Sequence, residues 1–133
     1  MKNSIVSKLV VPFFVAGALA VSSGQAFADD IVHSGEFVGK SDHITTGKVS
    51  IEKVSNGYLV KPGSEFSLDG APDPSVGFGK DGKFDPESDI GNLASLTGEQ
   101  IYLVPAEVDV SEYNEIYIWC GQFSVPLGVA TLK

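Results

Sequence analysis

The chain contains no arginine, and all nine of its basic residues are lysine. Seventeen acidic residues outnumber them, so the formal net charge is −8 at pH 7. A strongly acidic protein repels nucleic acid and anionic membrane surfaces. Without arginine, the chain also lacks the planar side chain that binds phosphate through two parallel hydrogen bonds. The sequence holds no glycine-rich phosphate-binding loop either, so these absences argue against binding of nucleic acid or nucleotides.

Cysteine and histidine are also scarce. Cys120 is the single cysteine, so the chain cannot form an intramolecular disulfide. The Cys-x-x-Cys-His motif that attaches c-type haem is absent. The two histidines are His33 and His43. We expect His33 to be solvated near the mature N-terminus and His43 to be a polar surface residue, since that is the commoner setting for histidine.

The first 28 residues have the pattern of a cleaved export signal. Lys2 and Lys8 precede an apolar run at residues 9–21, and the tripeptide Ala-Phe-Ala ends the segment at residues 26–28. The run is shorter than the roughly 20 residues needed to span a bilayer, so cleavage is favoured over anchoring. Residues 29–133 would then form one exported domain, periplasmic or secreted, with no membrane insertion. Seven lysines remain in it against 17 acidic residues, a net charge of −10.

The remaining residue pattern is typical of an all-β protein. Short runs of Val, Ile, Phe, Tyr and Thr alternate with turn residues, and no segment of useful length has a helical period. The clearest element is a hairpin over residues 47–62, with Ser55-Asn56-Gly57 at its turn and Asn-Gly as the pair expected to adopt positive φ. About eight short strands in one domain predict a single antiparallel β-sandwich or a partly closed barrel.

Further strands are predicted along the rest of the chain. Residues 71–92 are expected to be irregular, with one short strand at Val76 and Phe78, because glycine and proline are frequent there. The other expected elements are an exposed acidic loop at 80–89, strands at 100–104 and 116–119, and one or two strands at 123–132 with a bulge or edge at Pro126 and Gly128.

Cys120 is the candidate for redox chemistry. It ends a predicted strand beside Trp119, and Gly121 after it permits close backbone approach. A thiol can act as a redox group, as a ligand to haem or a metal, or as a nucleophile. The simpler alternative is a small buried apolar residue, because free cysteine is among the most buried residue types. Export favours a functional role for Cys120, since an accessible exported thiol that had no role would be oxidised or cross-linked.

Two other constellations are considered for chemistry. A cysteine nucleophile with His43 as its base needs the two side chains within hydrogen-bond reach, which sequence does not establish. The carboxylates Asp81, Asp85, Glu87 and Asp89 could bind calcium, but Pro86 and Asn92 occupy positions where an EF-hand loop needs glycine and glutamate. We therefore expect a solvated loop, no metal site and no stand-alone enzyme.

Together, an ordered set of residues resembles the DM-thirteen domain, a family described as an electron-transfer domain related to the DOMON group. The set spans residues 34–132 and comprises Gly35, Phe37, His43, Gly47-Lys48-Val49, Leu59, Phe66, Ala71-Pro72-Asp73-Pro74, Gly91, Leu93, Gly98, Gln100, Tyr102, Pro105, Tyr113, Ile118-Trp119-Cys120, Phe123, Gly128, Ala130 and Leu132. Pro126 and Leu127 depart from the family's pattern, which more often has an aromatic residue before the closing glycine.

The resemblance implies a jelly-roll or DOMON-like β-sandwich with a proposed redox role. Cys120 matches the family's characteristic cysteine, proposed to act as a free thiol or as a ligand to a prosthetic group such as haem. If a cofactor binds, His43 and Trp119 are the expected companions of Cys120. The partner would be a redox or surface protein. The alternative is a non-catalytic extracytoplasmic module that binds a ligand or protein through its loops, with Cys120 as core.

Overall fold

The computed structural model describes residues 30–133, which form an all-β domain. The strands are β1 (Ile31–Gly39), β2 (Thr45–Thr46), β3 (Lys48–Val54), β4 (Gly57–Pro62), β5 (Ser67–Leu68), β6 (Pro74–Lys80), β7 (Lys83–Phe84), β8 (Gly91–Asn92), β9 (Tyr102–Leu103), β10 (Glu115–Cys120) and β11 (Val125–Thr131). Short 3-10 helices span Pro86–Ser88 and Val110–Glu112. No helix in this part of the chain is long and apolar enough to cross a membrane. The expected signal segment lies outside the described residues.

One continuous antiparallel sheet makes up most of the domain. Its strand order is β7-β6-β10-β11-β1-β3-β4-β9, with β8 also paired to β6, and β2 and β5 form a separate pair. Strand β1 joins the two halves of the sheet. Its first part, from Ile31 to Glu36, pairs with β3, whereas Phe37 to Gly39 pair with β11. The sheet therefore curls at β1, and its halves become two layers.

A single hydrophobic core lies between these layers. Both halves of the sheet contribute to it, with Ile51 and Val60 from one half and Phe78 and Ile118 from the other. Phe37 of β1 packs edge-on against Phe66, with ring centroids 5.5 Å apart. In β3, Val49 and Ile51 alternate with partly exposed residues, as expected for a half-buried strand, whereas Phe37 is the one buried residue of β1. The predicted all-β sandwich is confirmed, in the form of one curled antiparallel sheet.

The predicted hairpin over residues 47–62 is confirmed as β3 and β4. Its register pairs Val54 with Gly57, so the two-residue turn consists of Ser55 and Asn56. The predicted turn at Ser55-Asn56-Gly57 includes this pair, but the expectation of positive φ at both Asn56 and Gly57 was wrong. Gly57 has φ of 151°, whereas Asn56 keeps a negative φ. Asn56 therefore does not need the left-handed conformation that makes Asn-Gly a hairpin signal.

The expectation for residues 71–92 was wrong in part: the short strand predicted at Val76 and Phe78 is present, but the segment around it is more regular than expected. This segment contains β6, a seven-residue strand that pairs with β10 along its whole length. Its glycines do not break the strand, because Gly77 and Gly79 lie under aromatic rings. A Cβ at Gly77 would come within 2.7 Å of the Phe84 ring, and one at Gly79 would overlap the Tyr117 ring. Only the tertiary packing shows why glycine suits these two strand positions.

Residues 80–89 are more ordered than the predicted loop. Lys80 pairs with Lys83 across a two-residue turn at Asp81 and Gly82, both with positive φ. The side chain of Asp85 then caps the 3-10 helix by accepting from the Glu87 amide at 2.9 Å. The acidic residues here fix backbone turns, which explains their spacing without a bound cation.

The remaining predicted strands are present with different lengths. The strand expected at 100–104 is reduced to Tyr102–Leu103, and β10 extends the one expected at 116–119. The chain expected to form one or two strands at 123–132 forms one, β11. The predicted bulge is confirmed, because Ile118 pairs with Gly128 while Trp119 pairs with Pro126, which leaves Leu127 as the extra residue. Strand β11 is internal, so the bulge does not lie at a sheet edge.

Candidate functional site

Cys120 is the last residue of β10 and points into the core. Strand alternation places Ile116, Ile118 and Cys120 on the inner face, and Tyr117 and Trp119 on the outer face. Only 1% of Cys120 is accessible to solvent. Its thiol is therefore shielded by protein rather than displayed at the surface.

The segment 71–74 covers the thiol. Cys120 Sγ donates a hydrogen bond to the carbonyl oxygen of Pro72 at 3.2 Å. The amide of Gly121 donates to the carbonyl of Asp73 at 2.9 Å, and Cys120 pairs with Pro74 in the β10–β6 ladder. We call residues 71–74 the cover segment, because their backbone closes the end of the strand over the sulfur.

Asp73 is the strained residue of the cover segment. Its φ is 53°, in the left-handed region, which costs a side-chain-bearing residue about 1–2 kcal/mol. Pro74 follows it, and a residue before proline is ordinarily confined to extended conformations. Gly121 makes room for this arrangement, because a Cβ there would overlap the Asp73 carboxylate. The cover is thus held in an uncommon conformation directly above the thiol.

Trp119 forms an aromatic cluster on the outer face, on the other side of the strand from the thiol. Its ring stacks on Phe84, with centroids 4.1 Å apart and planes 12° apart. Tyr117 packs edge-on against both rings, at 6.4 Å from Trp119 and 5.5 Å from Phe84. Trp119 is half-buried, so the cluster reaches from the strand bearing Cys120 to solvent.

A phenol–carboxylate pair adjoins this cluster. Tyr117 donates its hydroxyl to Glu115 Oε1 at 3.1 Å. Burial, assisted by the Glu115 charge, raises the pKa of Tyr117 to about 12. The phenol is therefore neutral across the physiological range, with a proton acceptor already in place.

Comparison with known protein families identifies the family of this chain. A family model described as Electron transfer DM13 matches residues 36–132 and includes the cover segment, Trp119 and Cys120. The chain belongs to the DM13 electron-transfer family. It has no significant match among curated proteins or solved structures. The resemblance to the DM-thirteen domain is confirmed, and membership gives the domain an electron-transfer-related role.

His43, the other predicted companion of Cys120, lies in the loop after β1 of the DM13 domain. Its Nδ1 is 2.9 Å from Asp69 Oδ1, and Asp69 Oδ2 accepts from the Ile44 amide at 3.0 Å. These hydrogen bonds lower the pKa of the Asp69 carboxyl, with the histidine bond as the main cause. His43 is therefore bonded to Asp69, whereas Cys120 is bonded to Pro72. The two side chains have different hydrogen-bond partners, although both partners lie on one stretch of chain.

His33 and the acidic residues occupy ordinary surface settings. His33 is exposed, with Nδ1 3.3 Å from the Lys133 carbonyl oxygen. Among residues 30–133, no three or more histidine, cysteine, aspartate or glutamate side chains are grouped as metal ligands. Asp85 is instead bonded through Oδ2 to the Tyr113 hydroxyl at 2.6 Å, which lowers the pKa of Asp85 and raises that of Tyr113 to about 12.

The residues around Cys120 do not fit a haem in this conformation. Axial ligation needs an open face at Sγ, but the sulfur is 1% exposed and bonded to Pro72 beneath the cover segment. Five surface pockets of the described chain, about 330 to 460 Å³ in volume, are lined by residues other than Cys120 and Trp119. The residues around Cys120 therefore support no haem-dependent step at this thiol.

Sequence reasoning missed Pro72, Phe84 and Glu115 as parts of the site. Pro72 acts through its carbonyl oxygen, which any residue carries, so no sequence signal points to it. Phe84 was not identified because it lies in a segment that was expected to be an exposed loop. The nearest available signal was the pattern of Gly77 and Gly79 in β6, since alternate glycines in a strand indicate close approach by other groups.

Proposed function

We propose that this DM13 domain is an exported electron-transfer module in which the Cys120 thiol is oxidised and reduced. The observation that carries the proposal is the hydrogen bond from Cys120 Sγ to the Pro72 carbonyl, made beneath the strained Asp73. Backbone strain concentrates at functional sites, where the surrounding structure maintains it. A cover that costs free energy to hold closed is suited to controlled exposure of the sulfur.

The proposed step is a one-electron exchange with a partner protein. Cys120 gives one electron to the oxidised redox centre of the partner and its proton to water, which leaves a thiyl radical. Reduction returns one electron and one proton and restores the thiol. Because the closed cover separates Sγ from water, we propose that residues 71–74 open during the cycle and that Asp73 lowers the cost of opening.

Export supports a shielded thiol of this kind. The charged, apolar and Ala-Phe-Ala regions of residues 1–28 fit a signal peptide, and we propose that the domain functions in the periplasm or outside the cell. An exposed thiol there would be oxidised or cross-linked. N-terminal sequencing of the exported protein tests this point, and a mature chain beginning at Asp29 is the expected result.

One-electron oxidation of the purified exported protein in the presence of a spin trap tests the role of Cys120. The protein would be treated with a high-potential one-electron oxidant, and the residue that carries the trapped radical would be located by mass spectrometry. We expect an adduct on Cys120 in the wild type and none at position 120 in Cys120→Ala. A Cys120 thiol that carries no adduct would reject the redox role, even if the protein is correctly exported and folded.

A second candidate function follows from the core position of Cys120. The residue belongs to the same buried cluster as Ile118 and Leu127, which is the setting of a structural cysteine. The domain would then bind a protein or small ligand through its loops. In that case the wild type should give no spin-trap adduct at Cys120, and Cys120→Ala should bind its ligand like the wild type with a loss of stability alone. The spin-trap experiment therefore separates the two functions.

A further inference from the structure

The phenol–carboxylate pair on the outer face of β10 is rigidly held. Glu115 accepts the Tyr117 hydroxyl at 3.1 Å, and both of its carboxylate oxygens also lie 3.0 Å from the Gly82 amide nitrogen. Tyr117 itself is only 3% exposed. The carboxylate is thus fixed by the β6–β7 turn before it meets the phenol, and the hydrogen bond does not depend on a mobile surface side chain.

The tyrosine ring is fixed as firmly as its hydroxyl. Tyr117 pairs with Gly77 in the sheet, and a Cβ at Gly79 would overlap its ring. The ring lies in the space that a side chain at position 79 would fill and meets Phe84 and Trp119 edge-on. Glycine at position 79 therefore leaves room for the tyrosine ring between its carboxylate and the indole.

These contacts suit one-electron oxidation of a phenol. The radical cation of a phenol is very acidic, so oxidation of neutral tyrosine proceeds easily only where a base can take the proton. The raised pKa of Tyr117 keeps its phenol neutral, and Glu115 is bonded to the proton that must leave. Indole is also readily oxidised, and the Trp119 centroid is 6.4 Å from that of Tyr117.

We propose that Tyr117 is a redox-active tyrosine, with Glu115 as its proton acceptor and Trp119 as the ring through which its electron leaves. A high-potential one-electron oxidant, such as a metal centre of a partner protein, takes one electron from Trp119. Tyr117 replaces that electron and transfers its proton to Glu115. The products are the reduced oxidant, a neutral tyrosyl radical and a protonated carboxyl group, with Trp119 restored.

The other described tyrosines lack one part of this arrangement. Tyr113 also donates to a carboxylate, Asp85, but its ring stacks on Phe78, and a phenyl ring is not readily oxidised. Tyr58 lies under the Lys53 ammonium group, 5.2 Å from its ring centroid, which disfavours a developing positive charge. Tyr102 donates its hydroxyl to the Gln100 amide oxygen, which does not act as a base. Tyr117 combines a proton acceptor with a neighbouring indole. The inference goes beyond the thiol chemistry of Cys120 and does not depend on it.

Flash photolysis of the purified protein tests the proposal. Photogenerated tris(bipyridine)ruthenium(III) would serve as oxidant, with transient absorption and electron paramagnetic resonance to identify and time the radical. We expect a tyrosyl radical in the wild type, its loss in Tyr117→Phe and its retention in the matched control Tyr113→Phe. Trp119→Phe preserves an aromatic ring against Phe84 and should slow formation of the radical.

The role of Glu115 has its own readout. Glu115→Gln removes the base but can keep a hydrogen bond, and we expect formation of the radical to slow by about 100-fold, the usual contribution of a positioned base. The wild-type rate should fall in deuterium oxide, and this isotope effect should disappear in the variant. Retention of the full tyrosyl signal in Tyr117→Phe would overturn the proposal, as would an unchanged rate in Glu115→Gln.

The tyrosine and thiol proposals can fail separately. In Cys120→Ala the tyrosyl radical should form with the same yield, because Cys120 points away from the aromatic cluster. Loss of the tyrosyl signal in that variant, with the fold intact by circular dichroism, would contradict the independence of the two groups. Absence of the spin-trap adduct at Cys120 in the wild type, with the tyrosyl radical still formed, would reject the redox role of Cys120 and leave that of Tyr117 standing.

Discussion

Cys120 Sγ donates a hydrogen bond to the carbonyl oxygen of Pro72, which lies 48 positions earlier in the chain, at a distance of 3.2 Å. A sulfur that is 1% exposed thus finds its polar partner on the backbone of the cover segment rather than on another side chain. Reactivity at this sulfur should therefore depend on movement of residues 71–74.

Substitution of the thiol should reveal how much of this contact is packing. Cys120→Ala removes a buried atom and its hydrogen bond and should lower the free energy of unfolding by about 1–2 kcal/mol. Cys120→Ser keeps a donor for Pro72 but buries a more polar group, so it should destabilise at least as much. Urea denaturation measures both. Wild-type stability in Cys120→Ala would contradict a well-packed sulfur.

Relief of the strain at Asp73 should stabilise the closed cover. Asp73→Gly has no Cβ to oppose φ of 53°, whereas Asp73→Ala retains the strain and loses the carboxylate. The glycine variant should therefore be more stable than the alanine variant by about 1 kcal/mol. It should also label its native thiol more slowly with a small alkylating reagent. Equal stability of the two variants would show that Asp73 is not strained.

Addition of a methyl group in β6 should disturb the aromatic face. A Cβ at Gly79 would overlap the Tyr117 ring and lie 2.5 Å from the Lys83 carbonyl oxygen, so Gly79→Ala should destabilise by about 1–3 kcal/mol. Gly63→Ala is the matched control, because the nearest atom to its Cβ would be the Lys48 carbonyl oxygen at 3.5 Å. Thermal unfolding compares the two variants. A larger loss in Gly63→Ala would refute this account.

Alkaline titration should show late ionisation of three tyrosines, since burial also raises the pKa of Tyr102. The pKa values of Tyr113 and Tyr117 are raised to about 12, the first mainly by its bond to Asp85 and the second mainly by burial. Since folding raises these values above the ordinary 10.0, their contribution to stability is complete below pH 10 and is lost as the pH rises toward 12.

Phenolate absorbance measures that titration directly. Tyr113→Phe and Tyr117→Phe should each remove one group that titrates near pH 12. The phenolate absorbance of the remaining tyrosines should be unchanged. Ionisation of every tyrosine near pH 10 in the folded protein would contradict both raised values. Unfolding that begins only above pH 10, followed by circular dichroism, would agree with the expected loss of stability.

Much of the fold could be predicted from local pattern. The alternation in β3 and β4 predicts a hairpin because a strand with one buried face must repeat every two residues. The prediction placed Pro126 and Gly128 at a bulge because neither suits an unbroken ladder. The full length of strand β6 could not be predicted beyond a short strand at Val76 and Phe78, since its glycines are explained by rings from Phe84 and Tyr117 that approach from other parts of the chain.

For the site, the sequence likewise identified some residues, and only the structure showed how they are placed. Cys120, Trp119 and His43 were identified from residue chemistry and from the DM13 resemblance, yet sequence could not tell which faces they occupy. The structure places the thiol inward and the indole outward, because adjacent strand residues alternate. It joins His43 to Asp69 rather than to Cys120.

The sequence by itself determined an acidic, arginine-free β domain with one thiol, because charge, residue choice and turn signals are local properties. Membership of the DM13 family could also be recognised from the order of its residues. Only the tertiary structure decided that the thiol lies beneath Pro72 and that Tyr117 lies between Glu115 and Trp119. Those relationships depend on sheet register and on the curl at β1, which bring together residues that are distant along the chain.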